Sequence, residues 1–151
     1  MFLALKTTTQ SDATRMQRLS SQVIKARLVS SYSHGGIVID GDLYHCTASK
    51  GLHKMAAGTW SPDAWEIFDI GGDDATALAL FEKYKGAAYA WLRLLTFIGF
   101  KTVRDFTKMY CFEWCFLART TIFPTERSTP EKLFAFSANR VIFNNLNSLS
   151  V

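Results

Sequence analysis

Three cysteines and three histidines carry most of the chemical capacity of this 151-residue sequence: Cys46, Cys111 and Cys115, with His34, His45 and His53. The segment Tyr110-Cys111-Phe112-Glu113-Trp114-Cys115 follows a polar stretch, Lys101 to Lys108, and opens an apolar run. A cysteine in the first turn of a helix lies at the positive end of the dipole, which favours thiolate. Its own N–H has no intrahelical partner and can donate to an oxyanion. Those are the two features a thiol nucleophile needs, and they make Cys111 the candidate. Cys115 lies one turn further in and is expected to be core. The plain alternative for both is a small buried hydrophobe, a common fate of free cysteine.

The candidate base comes from the segment His34 to Thr47, in which Asp40-Gly41 separates two β-branched or aromatic runs. That pattern predicts a hairpin with a two-residue type I′ turn, because both turn residues need positive φ. The turn fixes the register: Ile39 opposite Asp42, Gly36 opposite His45, His34 opposite Thr47. Side chains alternate with period two, so His34, Gly36 and Val38 share a face with Leu43, His45 and Thr47. His34 and His45 are then diagonal neighbours, with Gly36 leaving room for a side chain or substrate. A neutral imidazole can act as a general base, and a second polar group can hold its tautomer. A bulged three-residue loop would shift the register by one and turn His45 to the other face. His53, in a glycine-bounded stretch, receives no role. A zinc site built from His45, Cys46, Cys111 and Cys115 is disfavoured, because adjacent strand residues point to opposite faces and Cys-x-x-x-Cys within a helix is a weak ligand pair.

Those residues need a frame. Residues 1–6 are predicted to form a strand. Residues 12–28 are predicted to be an amphipathic helix, with Met16, Leu19, Val23 and Ile24 at helical spacing and Ser11 or Asp12 as its cap. Residues 48–63 are expected to be a long loop, and Ala64 to Ile70 a third strand. Asp73 or Asp74 should cap a helix over about 75–85, closed by Gly86, with another helix over about 88–98. The helix that opens at Cys111 should reach about Arg119. Ser128-Thr129-Pro130-Glu131 is a capping box that starts a last short helix through about Ala138. The expected organisation is one domain over 1–138 with a C-terminal tail over 139–151.

Composition narrows the function classes. Hydrophobic residues make up 48% and charged residues 20%, the balance of a globular domain rather than a disordered chain. The net charge of +4 suits an anionic partner, but there is no basic run, zinc-finger spacing or RNP-like motif, so no nucleic-acid partner is expected. Three cysteines do not make a disulfide framework. The first apolar residues, Met1 to Leu5, are too few for a secretory signal, and the longest apolar stretch, Tyr89 to Phe100, is too short to span a bilayer and contains Arg93. Cytoplasmic synthesis without a transmembrane segment is the expectation.

Ser33-His34-Gly-Gly-Ile-Val-Ile-Asp-Gly-Asp-Leu-Tyr-His45 resembles the His-x-Gly-Ile-x-x-Gly-x-Gly-x-x-x-His strand pair of the NlpC-like papain-fold superfamily of peptidoglycan-cleaving cysteine peptidases. There the nucleophile usually precedes the hairpin. Here the order His, His, Cys is similar to the circularly permuted branch, which includes YiiX-like bacterial proteins, short bacteriophage-encoded proteins and the lecithin:retinol acyltransferase family. Trp65-Glu-Ile-Phe, Lys85-Gly86-Ala-Ala-Tyr89-Ala-Trp91-Leu92, Tyr110-Cys111-x-Glu113 and the Ser-Thr-Pro-Glu start of the last helix extend the likeness over about residues 1–138. The resemblance implies an α+β fold of the permuted NlpC-like type: a small antiparallel sheet packed against helices, with the nucleophile at a helix N-terminus. It implies Cys111 as nucleophile, His34 as base and His45 as the orienting residue, with Thr47 in that place if the register differs. Gly36, Thr47, Tyr110 and Phe112 are the expected substrate contacts. Phe112 departs from the small residue that usually follows the cysteine and would narrow or reshape the site.

The implied activity is amide cleavage through a Cys111 thioester without a cofactor, on peptidoglycan or another acyl or amide substrate. A virion-associated protein acting on the host cell wall beside other virion proteins would fit the phage group. A lipid acyl hydrolase or acyltransferase is the alternative activity. A non-enzymatic virion protein that retains the fold is the alternative without one.

Overall fold

The computed structural model describes residues 1–6, 22, 32–90, 105, 107–123, 133 and 142–143. The helices predicted over 12–28 and 128–138 lie outside that set, apart from Gln22 and Leu133. Among the described residues the chain is mixed α+β, with a six-stranded antiparallel sheet and two helices. None of these helices is long and apolar enough to cross a membrane.

The sheet strands are β1 (Phe2–Lys6), β2 (His34–Ile39), β3 (Asp42–Thr47), β4 (Gly51–Met55), β5 (Glu66–Asp69) and, numbered last in the chain, β8 (Ile142–Phe143). Their order is β4-β3-β2-β1-β5-β8. β1 pairs with β2 on one side and β5 on the other, and Leu3, Ala4 and Leu5 are fully buried, as a central strand covered on both faces requires. The hairpin forms in the expected register, with Gly36 opposite His45 and Ile39 opposite Asp42. Asp40 and Gly41 take φ of 51° and 80°, the left-handed pair that a type I′ turn demands. β8 pairs with β5, so the sheet reaches past residue 138 into the segment expected to be a tail.

Two segments differ from expectation. The stretch predicted as a loop over 48–63 contains β4, which pairs with β3 from Leu43–Met55 to Thr47–Gly51. The start of the helix predicted over 88–98 is instead β6 (Ala88–Tyr89), parallel to β7 (Lys108–Met109). Both are fixed by distant partners. The Ala87 carbonyl accepts the Leu52 N–H at 2.9 Å, and Gly86 N–H donates to the Leu52 carbonyl at 2.8 Å, which ties this segment to β4.

Helix α1 (Asp74–Tyr84) starts where the Asp73 carboxylate accepts the Ala75 N–H at 3.1 Å. Helix α2 (Cys111–Thr120) starts at Tyr110, whose N–H donates to Glu113 Oε2 at 3.1 Å, and ends at Thr121 in the left-handed conformation. Both helices join one core with Leu3, Leu5, Ile37, Tyr44, Cys46 and Phe68 from one sheet face. Phe81 and Trp114 are almost fully buried there, and burial of a large apolar side chain contributes about 1.5–3 kcal/mol. Trp114 Nε1–H donates to the Tyr44 carbonyl at 2.8 Å and pins α2 to β3. The opposite sheet face carries a smaller cluster: Ala4, Val38, Leu43 and Ile67, with Met55, Trp60 and Trp65 packed against it.

Candidate functional site: a histidine chain beside a buried thiol

The strand registers bring all three histidines to one face. His45 lies directly opposite His53 across β3 and β4, and His34 is diagonal to His45 across β2 and β3. Their rings form a continuous hydrogen-bonded chain. His34 Nε2 is 3.0 Å from His45 Nδ1, and His45 Nε2 is 3.1 Å from His53 Nε2. The chain ends where His53 Nδ1 meets the Gly51 carbonyl at 3.0 Å. Trp65 covers it, with its ring centroid 5.5 Å from that of His34 and 6.2 Å from that of His45. Lys6 reaches over the other part of this face, its Nζ 5.5 Å from the Trp65 ring centre.

Enclosure sets the charge state. Burial is the main cause that lowers the His34 pKa to about 4, with electrostatic repulsion from Lys6 next and from the nearby His53 ring last. Burial likewise lowers His45 to about 2, helped by His34, His53, Lys50 and Lys6. At neutral pH His34 and His45 are therefore neutral imidazoles, the form that accepts a proton.

Gly36 lies beneath His45. A Cβ built there would come within 2.7 Å of Leu43 Cδ1 and 3.0 Å of His45 Cβ. The room it leaves is thus taken by Leu43 and His45. Thr47 Oγ1 accepts the Lys50 N–H at 3.4 Å, in the turn after β3, while His45 is the partner of His34.

Cys111 is the first residue of α2 and is buried on the helix-packed face of the sheet. Its sulfur interacts with the backbone N–H groups of Gly35, Phe112 and Cys111 itself and with the Tyr89 side chain, all of which favour thiolate. Burial outweighs them and raises the thiol pKa to about 11. The fall in pKa expected from the helix start is therefore reversed: the dipole and donors are present, but desolvation is the larger effect. Cys115 is raised by burial too, and Cys46, on the face opposite His45, directs its Sγ to the Met109 carbonyl at 3.2 Å. The described residues contain no group of three or more His, Cys, Asp or Glu arranged to hold a metal ion.

The structure joins His34 to His45 and sets Cys111 against Gly35, the next residue along β2. Strand alternation turns Gly35 toward α2 and His34 toward Trp65, so the described thiol and imidazole are separated by the pleat of one strand and share no hydrogen bond. Tyr110 and Phe112, expected to touch substrate, are buried in the core, 2% and 1% exposed. Phe112 lies over Gly35: a Cβ there would be 2.9 Å from Phe112 Cε1. The bulky residue after the cysteine thus occupies the space that a missing side chain on β2 leaves open.

Sequence reasoning missed His53 and Tyr89. His53 was findable, since a second hairpin with its turn at 48–50 pairs Thr47 with Gly51 and places His53 opposite His45. The approach of Tyr89 to Cys111 depends on the parallel β6–β7 contact, which leaves no local signal. No protein-family model matches the chain, and no curated protein matches it in sequence.

Proposed function

We propose that the chain is a thiol hydrolase of the permuted papain-like type that cleaves an amide bond, with Cys111 as nucleophile, His34 as base and His45 as the orienting residue. The observation that carries this is the neutral His34, held by His45 at 3.0 Å, next in sequence to the N–H that meets the helix-opening thiol. A thiol near pKa 11 and an imidazole near pKa 4 rest as a neutral pair, so attack proceeds by general-base catalysis. His34 faces Trp65 while Cys111 lies on the helix-packed face. The reaction therefore requires the His34 end of β2 to turn its ring to the thiol, a rearrangement of the strand end rather than the tightening of an existing contact.

As Cys111 Sγ attacks the carbonyl carbon, its proton passes to His34. The N–H groups at the start of α2 are the available donors to the oxyanion. Collapse returns the His34 proton to the departing amine and leaves an acyl thioester. Water, deprotonated by His34, then releases the acid and restores the thiol.

The substrate we favour is peptidoglycan, that of the superfamily the hairpin resembles, and the likeness to the phage group supports a virion protein that acts on the host wall. The His, His, Cys order itself is shared with the acyltransferase branch. Incubation with muropeptides or with phospholipid vesicles, followed by intact-protein mass spectrometry, tests this. A muropeptide acyl adduct on Cys111 is expected. An adduct from phospholipid alone would move the activity to lipid acyl transfer, and no adduct together with no cleavage would refute thiol catalysis.

A further inference from the structure

The three-histidine chain ends on an atom with only one possible role, and with all three rings in the neutral form that atom determines every proton in it. A backbone carbonyl accepts and never donates. His53 Nδ1, 3.0 Å from the Gly51 carbonyl, must therefore carry its hydrogen. A neutral His53 then has a bare Nε2, so the 3.1 Å contact is made by His45 Nε2–H. A neutral His45 so protonated has a bare Nδ1, so the 3.0 Å contact is made by His34 Nε2–H. His34 Nδ1 is left as the one lone pair of the chain that a proton can enter without breaking any of these three hydrogen bonds. Reversing any single tautomer puts two hydrogens or two lone pairs face to face at one of the contacts.

We propose that His53 is a positioning residue: anchored on the Gly51 carbonyl, it locks His45 and His34 as Nε2–H tautomers and presents His34 Nδ1 as the base. The catalytic consequence rests on the thiol hydrolase proposed above, whereas the tautomers do not. His53 touches no reacting atom and acts through His45. Gly51 suits the anchor because its φ of 65° is left-handed and a Cβ there would fall 2.2 Å from the Ala87 carbonyl oxygen, so its place at the start of β4 is tightly fixed.

Long-range proton–nitrogen NMR correlation at neutral pH reads each ring directly, with resonances assigned from single His→Gln variants. The expected result is Nε2–H for His34 and His45 and Nδ1–H for His53. In His53→Leu, His45 loses its acceptor, both tautomers of His45 and His34 become populated, and kcat falls on the order of 10- to 100-fold with KM little changed. In His53→Gln the carboxamide supplies both an acceptor for His45 and a donor for Gly51, and the wild-type tautomers and most of kcat return. An Nδ1–H tautomer at His45 or an Nε2–H tautomer at His53 in the wild-type protein overturns the lock, whatever the activity. Cleavage that survives Cys111→Ala with the stated tautomers intact sinks the thiol hydrolase and leaves the lock standing.

Discussion

Replacing Gly35 with alanine tests how α2 is seated on the sheet. The added Cβ would meet Phe112 Cε1 at 2.9 Å, Phe112 Cδ1 at 3.1 Å and Leu5 Cδ2 at 3.3 Å. Ordinary carbon contacts lie at about 3.5–4.0 Å, so the Phe112 ring must retreat by roughly 0.5–1 Å. It has little space to do so, being 1% exposed and surrounded by core side chains. Forcing a methyl group into such packing costs about 1–3 kcal/mol. The lower chain entropy of unfolded alanine returns about 0.4–1 kcal/mol. The net expectation is a loss of about 1–2 kcal/mol, or roughly 2–8 °C in Tm at this chain length. Urea denaturation of Gly35→Ala, Phe112→Leu and the double variant measures it. Shortening Phe112 clears the ring edge, so the pair should be non-additive by about 1 kcal/mol or more, with Phe112→Leu costing less in the Gly35→Ala background than in the wild-type protein. Wild-type stability for Gly35→Ala, or additivity within about 0.3–0.5 kcal/mol, would refute the idea that Gly35 and Phe112 are complementary.

Three other outcomes follow from the same geometry. His34 and His45 are held below the ordinary 6.5, at about 4 and about 2, so their contribution is complete above pH 6.5 and is lost as pH falls from there through the folded values. Between pH 7 and pH 4.5, Tm should drop more steeply in the wild-type protein than in a His34→Gln/His45→Gln variant; equal slopes would contradict it. Trp114→Phe removes the 2.8 Å hydrogen bond to the Tyr44 carbonyl and part of a fully buried ring, and should cost about 1–3 kcal/mol in urea melts. Gly51→Ala combines a left-handed φ of 65° with a 2.2 Å approach to the Ala87 carbonyl oxygen and should cost about 3 kcal/mol or more, with the His53 ring resonances displaced.

Much of the frame around the site was legible because its signals are local. Asp40-Gly41 specifies a turn, the turn specifies the register, and the register places His34 and His45 on one face. Asp73 and Tyr110-Cys111 mark helix starts for equally local reasons, an acidic cap in one case and a change from polar to apolar residues in the other. β4 was not legible. Its five residues, Gly51-Leu-His-Lys-Met, contain one fully buried side chain, Leu52, and their strand character comes from pairing with β3. Missing β4 meant missing His53 and with it the end of the histidine chain. β6 failed for a similar reason, since two residues in parallel pairing with Lys108–Met109 carry no periodicity of their own. The Cys111 thiol shows a different limit. Its place at a helix start can be read from sequence, but its pKa depends on how deeply α2 packs, which is a property of the assembled core.

The role of Cys111 is tested most directly by muropeptide cleavage in the wild-type protein and in Cys111→Ala, with circular dichroism and urea midpoints confirming that the variant is folded. Cleavage by the wild-type protein and its loss by at least about a thousandfold in folded Cys111→Ala is the predicted result. Cleavage at the wild-type rate by Cys111→Ala would contradict the assignment of this thiol as the nucleophile.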